Sequence, residues 1–316
     1  MTAVHDLWSN EKSNGRGNEL EWTPLSGPLP EADASAREPG RVLPCAGNVA
    51  LSSSPDLLIP SSRQGAVILG VTVDAVDLFG AVERIAKLIW QGGHHQVVTV
   101  NPEFLVAARH QPAFGAVLRQ AALATADGAG IVIAARLLGR PLCGRVTGSD
   151  LIVRLAERAA REGWRVFLLG AAPGIAEQAA AALRRGAPEL RVVGTWAGSP
   201  NAGDSEAILQ RVANAQPHLL LVAYGAPAQD LWLARHLAQT TAVVGIGVGG
   251  AFDFLAGVAP RAPHILRRTG LEWLYRLWHQ PWRARRMLAL PAFVALVARD
   301  VLAQRLLGSI RTGKVV

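Results

Sequence analysis

The stretch that decides the architecture runs from residue 164 to residue 249. It reads WRVFLLG (164–170), APGIAEQAAAALRRG (172–186), LRVVGTW (190–196), SEAILQRVANAQ (205–216), HLLLVAYG (218–225), PAQDLWLARHLAQT (227–240) and AVVGIGVG (242–249). Short apolar runs rich in Val, Leu and Ile alternate with longer segments of helical spacing. A strand buried on both faces needs no polar alternation, and parallel strands need a crossover helix between them. The pattern predicts an α/β fold, a mostly parallel sheet with helices on both faces. Ligands on such sheets bind at the carboxyl ends of the strands, where loops meet helix N-termini.

The same rhythm extends toward the N-terminus. AVILGVTVDAV (66–76) is an apolar, β-branched run, LFGAVERIAKLIWQ (78–91) a helix and QVVTVN (96–101) a buried strand. PEFLVAARHQPAFGAVLRQA (102–121) reads as a helix with Pro102 at an early position. ALATADGAG (122–130) is a short strand running into a glycine turn, and IVIAARLLG (131–139) is a helix stopped by Gly139. Asp204 or Ser205 is expected to cap the helix over 205–216. Residues 1–62, rich in Ser, Gly, Pro, Asn and Glu, read as a disordered leader. The boundaries that follow are a leader over 1–62, an α/β core over 63–260 and an appendage over 261–316.

The appendage carries the charge imbalance. From Arg261 onward eleven basic side chains face two acids, Glu272 and Asp300, so this segment is +9 in a chain of +8 and the remainder is close to neutral. Its arginines are interleaved with Trp273, Tyr275, Trp278 and Trp282 and followed by an apolar run. Arginine beside indole suits an anionic membrane surface or a phosphate held at one. The run MLALPAFVALVA (287–298) has twelve residues and contains Pro291. About 18 to 20 residues are needed to span a bilayer as a helix. Asp6, Glu11 and Lys12 interrupt any secretion signal. The expected location is therefore cytoplasmic, peripherally associated with the inner face of the membrane. Cys45 and Cys143 are too few for a disulfide framework, and no HxxxH or CxxC spacing suggests a metal site.

Several polar residues sit at the predicted ligand edge. Thr99 and Asn101 end a buried strand, and Asp127 follows another in ADG. A carboxylate followed by glycine at a strand end suits a general base, because glycine admits a substrate and partial burial tunes the acid. The alternative is that Asp127 merely caps the helix beginning near Gly130. Three glycine loops could cradle phosphate on backbone N–H groups: GAAPG at 170–174, YGAPAQD at 224–230 and GVGGAFD at 247–253. RVTGSD at 145–150 sets Arg145 and Asp150 beside a turn before a helix, either as a loop ion pair with a cap or with the arginine on a ligand phosphate. Arg276, Arg283 and Arg286 have spacings that place them roughly on one helical face.

In order along the chain, TVN, ADG, RVTGSD, GAPAQD, GVGGAFDFLAG and GLEWLYRLWHQPWRARR resemble the WecG/TagA/CpsF glycosyltransferases, over residues from about 66 to 290. The resemblance implies a Rossmann-like core with a C-terminal helical membrane-docking appendage. It implies an inverting transfer of a sugar, such as N-acetylmannosamine or its uronic acid, from a UDP-sugar to a polyprenyl-diphosphate-linked saccharide, with no metal or other cofactor. By motif, Asp127 would be the base, Thr99 and Asn101 would lie beside the reacting sugar, and Arg145 and Gln229 would hold the donor with Gly170, Gly225 and Gly249. Arg276, Arg283 and Arg286 would grip the lipid diphosphate. Self-association is within the family's behaviour, and nucleic acid is not an expected partner. The chain departs from the family pattern at Asp230, where glutamate is usual, at Ala228, where lysine is common, and at Pro102, where a small residue more often follows the asparagine.

Two other readings compete. A dinucleotide-dependent oxidoreductase would share the sheet, yet the first strand–helix junction lacks GxGxxG. A non-catalytic basic adaptor would explain the tail but not a near-neutral core with several glycine loops.

Overall fold

Apolar spacing over residues 78–91 becomes helix α1 (Leu78–Gln91), which buries Ala81, Val82, Ile85, Ala86, Leu88 and Ile89 along one stripe. Its N-terminus is closed by Asp77, whose Oδ1 accepts from the Gly80 amide at 2.7 Å. The computed structural model describes residues 64–259, 272–279 and 287–311. The leader predicted over 1–62 lies outside the described residues.

Before α1 stand β1 (Gly65–Ile68) and β2 (Val71–Asp74); after it come β3 (His95–Val100), α2 (Pro102–His110), α3 (Pro112–Gln120), β4 (Leu123–Ala126) and α4 (Ala129–Leu137). The second half runs α5 (Gly148–Glu162), β5 (Arg165–Gly170), α6 (Ile175–Gly186), β6 (Arg191–Trp196), α7 (Ala202–Ala215), β7 (Leu219–Ala223), α8 (Ala228–His236), β8 (Val244–Gly247) and α9 (Ala251–Leu255). Two further helices are α10 (Glu272–His279) and α11 (Ala289–Arg311).

Six strands form one sheet in the order β4-β3-β8-β7-β5-β6. Every pairing in it is parallel. Successive residues of β3, β4, β5, β7 and β8 bury on opposite faces, so both faces are apolar there. Val97, Leu123, Val166, Leu168, Leu219, Leu221, Val244 and Ile246 pack under α1, α5, α6 and α9. On the other face Val98, Val100, Ala124 and Ala126 meet α2, α3 and α4, while Phe167, Leu169, Leu220 and Val222 meet α7 and α8. Full burial of each such aliphatic side chain contributes about 1.5–3 kcal/mol. Gly245 lets α8 approach closely, since a Cβ there would lie 2.6 Å from Leu233 Cδ2.

The apolar run at 66–76 forms the β1–β2 antiparallel hairpin, outside the main sheet. Leu69 and Gly70 both take positive φ (48° and 82°), the geometry of a two-residue turn matched to strand twist. The helix read over 102–121 breaks at Gln111, because Pro112 offers no N–H to continue α2 and instead opens α3. The helix expected to be capped by Asp204 or Ser205 starts earlier, with Asn201 at the cap and no side-chain capping bond.

Among the described residues no helix is long and apolar enough to cross a membrane. α11 is longer than the apolar run at 287–298, and it buries Phe293 and Val297 against the hydrophobic cluster around α2.

Candidate active site

The parallel register of β3 and β4 pairs Thr99 with Thr125 and Val100 with Ala126. Asn101 and Asp127 each follow the last paired residue of their strand, so they emerge side by side at the carboxyl edge. The Asp127 amide donates to the Val100 carbonyl at 2.8 Å, fixing that juxtaposition. β4 is held in turn by Asp74, a buried carboxylate whose Oδ2 accepts from the Ala124 amide at 2.7 Å. Nothing in the spacing of residues 66–76 shows that Asp74 secures a strand fifty residues downstream.

The segment that opens α5 returns to the same place. The Val146 amide donates to the Ala126 carbonyl at 2.8 Å, which sets Arg145 at the end of β4 beside Asp127. Thr147 caps α5, accepting from the Asp150 amide at 3.2 Å while its hydroxyl donates to Asp150 Oδ2 at 2.7 Å. The next residue, Gly148, brings this helix start against Thr99: a Cβ there would sit 3.7 Å from Thr99 Oγ1 and 3.8 Å from the Val248 carbonyl. Thr99 is itself nearly buried. Thr99, Asn101, Asp127 and Arg145 thus share one end of the sheet, next to the N-terminus of α5 and the loop after β8.

The structure bears on the competing explanation of Asp127. The cap position of α4 falls on Gly128, with φ of 106°, one residue after Asp127. Asn101 does have a structural task, since its Oδ1 accepts from the Phe104 amide at 2.9 Å and starts α2. Asp127 and Arg145 are both half-buried.

The glycine loops lie at the same carboxyl edge. Gly170 ends β5 with φ of 101°, and a Cβ on it would lie 2.8 Å from the Ala223 carbonyl carbon. The Ala171 amide donates to the Ala223 carbonyl at 3.0 Å, so the loops after β5 and β7 are joined through their backbones. Tyr224 locks them further: its ring faces Gly170 and its hydroxyl lies 2.9 Å from the position of a Cβ on Gly198, in the loop after β6. Burial, with the Asp204 charge adding to it, keeps the Tyr224 phenol protonated well above the ordinary range. Gly225 and Gly249 both take positive φ, as the turns into α8 and α9 demand.

Gln229, expected to help hold the donor, sits behind the third glycine loop. It is 1% exposed, and its Oε1 accepts from the Gly249 amide at 2.9 Å. The side chain holds the third glycine loop. The residue beside it, Asp230, is 0% exposed. Neither of its carboxylate oxygens has a hydrogen-bond partner among the described residues. A Cβ on Gly247 would lie 2.6 Å from both Asp230 Oδ1 and Gln229 Nε2, so glycine is what leaves room for the pair. Burial pushes the Asp230 carboxyl up to about 7, against a smaller downward pull from Gln229. A helical-spacing argument marks Asp230 as an ordinary first-turn acid and misses it, because its burial comes from the β8 glycines.

The three tail arginines are only partly within view. Arg276 belongs to α10, but its side chain, like Arg283 and Arg286 altogether, lies outside the described residues. Among the described residues no group of three or more His, Cys, Asp or Glu side chains is arranged to hold a metal ion.

The model of the Glycosyl transferase WecG/TagA/CpsF family matches residues 66–306. An N-acetylglucosaminyldiphosphoundecaprenol N-acetyl-beta-D-mannosaminyltransferase from Bacillus spizizenii (strain ATCC 23059 / NRRL B-14472 / W23) is 34% identical over 203 residues, covering 64% of this chain and 78% of the relative. The enzyme of the same name from Staphylococcus aureus (strain MW2) is 32% identical over 234 residues, covering 73% of this chain and 91% of the relative.

Proposed function

The chain belongs to the WecG/TagA/CpsF glycosyl transferase family, and from that premise we propose that it moves an N-acetylmannosamine-type sugar from a UDP-sugar to a saccharide carried on polyprenyl diphosphate. The relatives' names describe N-acetylmannosaminyl transfer to N-acetylglucosaminyl-diphosphoundecaprenol, and that acceptor class is the one proposed for this chain. The observation that carries the reading is the convergence of Thr99, Asn101, Asp127 and Arg145 at one carboxyl end of the sheet, flanked by glycine loops and the N-terminus of a fifteen-residue helix.

The proposed reaction is a direct displacement with inversion. The acceptor hydroxyl oxygen forms the new bond to the anomeric carbon as its proton passes to the Asp127 carboxylate. The bond from that carbon to the UDP oxygen breaks, and its electron pair leaves with UDP. Arg145, the N-terminal amides of α5 and the amides of the glycine loops meet the charge on the departing diphosphate, so the proposed mechanism uses no metal ion. Thr99 and Asn101 line the sugar end of the crevice. Gln229 acts at one remove, by holding the Gly249 loop. The cationic appendage, with Arg276, Arg283 and Arg286, takes the lipid diphosphate at the inner face of the membrane.

A screen of UDP-sugars against N-acetylglucosaminyl-diphosphate on a polyprenyl carrier, read by product mass, tests the proposal. One UDP-sugar is expected to add a single residue to the acceptor. Donor hydrolysis alone, or no product with any UDP-sugar, would overturn it.

A further inference from the structure

Between Asp127 and Arg145 the chain makes an excursion whose outer surface fits neither a buried core nor an ordinary solvated helix. Both ends of this excursion are pinned to the same strand end, through Asp127 N to the Val100 carbonyl and Val146 N to the Ala126 carbonyl, each 2.8 Å. The excursion consists of α4 and the turn after it. Ile131, Ala134 and Ala135 face the core. On the opposite side Ile133 and Leu137, one helical turn apart, are 57% and 56% exposed. Arg136 and Arg140 are exposed beside them, and neither pairs with an acid among the described residues. From Gly128 to Ser149 the chain contains three arginines and no aspartate or glutamate. The first turn of α4 also meets α11, since a Cβ on Gly130 would lie 3.7 Å from Phe293 Cε1. α11 presents its own exposed Val294 and Leu302.

We propose that the outer face of α4 is a membrane-contact surface of the catalytic core itself, with Ile133 and Leu137 entering the headgroup–acyl boundary and Arg136 and Arg140 on the phosphates of anionic lipids. Charge complementarity selects this occupant: an apolar pair beside two arginines that meet no acid among the described residues, in a segment without Asp or Glu, matches an anionic interface and would repel a second identical face. Position selects it too. The excursion begins and ends beside Asp127, so seating it on the bilayer brings Asp127 near the depth at which a lipid-borne saccharide leaves the surface. The inference rests on the lipid-linked acceptor proposed above. It differs in placing a docking element within the core, where the cationic appendage is not required.

The full-length chain is sedimented with vesicles of phosphatidylcholine, with and without phosphatidylglycerol. The double variants Ile133→Ser/Leu137→Ser and Arg136→Gln/Arg140→Gln are each expected to bind the anionic vesicles about 10-fold more weakly. The arginine variant should bind phosphatidylcholine alone as the parent does, and both variants should keep the parent melting temperature because all four side chains are exposed. Parent-like binding to anionic vesicles by both variants would overturn the proposal. So would a drop in solution mass of Ile133→Ser/Leu137→Ser without lipid together with unchanged vesicle binding, which would assign the face to a second copy of the chain. Turnover of a short-chain, water-soluble diphosphate acceptor separates the two claims. The variants should match the parent there. If the parent itself transfers no sugar to it, the proposed reaction fails, while the vesicle measurement still judges the surface.

Discussion

The two ends of the sheet offer a ligand different things. At the β4–β3 end the carboxyl edge carries side chains: Thr99, Asn101 and Asp127, with Arg145 brought back by the start of α5. At the β7–β5 end it is lined mainly by backbone, through Gly170, Ala171 and Gly225, with Tyr224 wedged between loops. Side chains can move protons and respond to charge that develops during a reaction. Oriented amides can bind a diphosphate but have no proton to exchange at neutral pH. Under the proposed reaction the sheet separates chemistry from anchoring, and β8, inserted between the two ends, connects them through the Gly249 loop and Gln229.

Breaking the chemical end should have the largest effect. Asp127→Asn is expected to lower kcat by roughly 10² to 10⁴ with little change in donor affinity, the usual range for loss of general acid–base catalysis. A parent-like kcat in that variant would remove Asp127 from the role. At the anchoring end, Gly170→Val combines a left-handed φ with a clash on Ala223 and should lower stability by about 2–4 kcal/mol. A melting curve unchanged from the parent would show that the two loops are not rigidly joined.

The connection between the ends carries its own pH dependence. The Asp230 pKa is raised above its unfolded value, to about 7. The stability associated with the neutral carboxyl is therefore fully present below the ordinary carboxylate range and is lost as pH rises through about 7. Denaturant titrations between pH 5 and 8 should show a decline of about 2–3 kcal/mol in the parent and a flatter profile in Asp230→Asn. Identical slopes in the two proteins would refute this. A smaller effect is expected from Gln229→Ala, which leaves the Gly249 amide without its acceptor and should cost about 1–2 kcal/mol. That variant should raise KM for the donor more than it lowers kcat. A pure kcat loss would instead put Gln229 at the reacting atoms.

How much of this was legible in the sequence follows the range of the interactions involved. α1 starts and stops where the apolar spacing of 78–91 says, because its stripe, its Asp77 cap and its closing Gly92 are all local. The break at Pro112 was equally local but was masked by continuous apolar spacing on both sides. The hairpin at Leu69–Gly70 was hidden by a β-branched run that suits one strand or two. Asp127, Asn101 and Thr99 were visible as strand-end residues, since a buried run followed by polar and glycine residues marks a strand's exit. Gln229 was visible as a motif residue, yet its burial was not.

The order of strands and helices, the glycine turns at the carboxyl ends and the concentration of positive charge after residue 260 were written in the one-dimensional pattern, because hydrophobic period and turn chemistry act over a few residues. The strand order β4-β3-β8-β7-β5-β6, the meeting of Gly148 with Thr99, the return of Arg145 to Asp127 and the burial of Gln229 and Asp230 under Gly247 were decided only by the tertiary structure. Those features depend on which apolar faces cover one another across long stretches of chain, and burial of area carries no record of sequence distance.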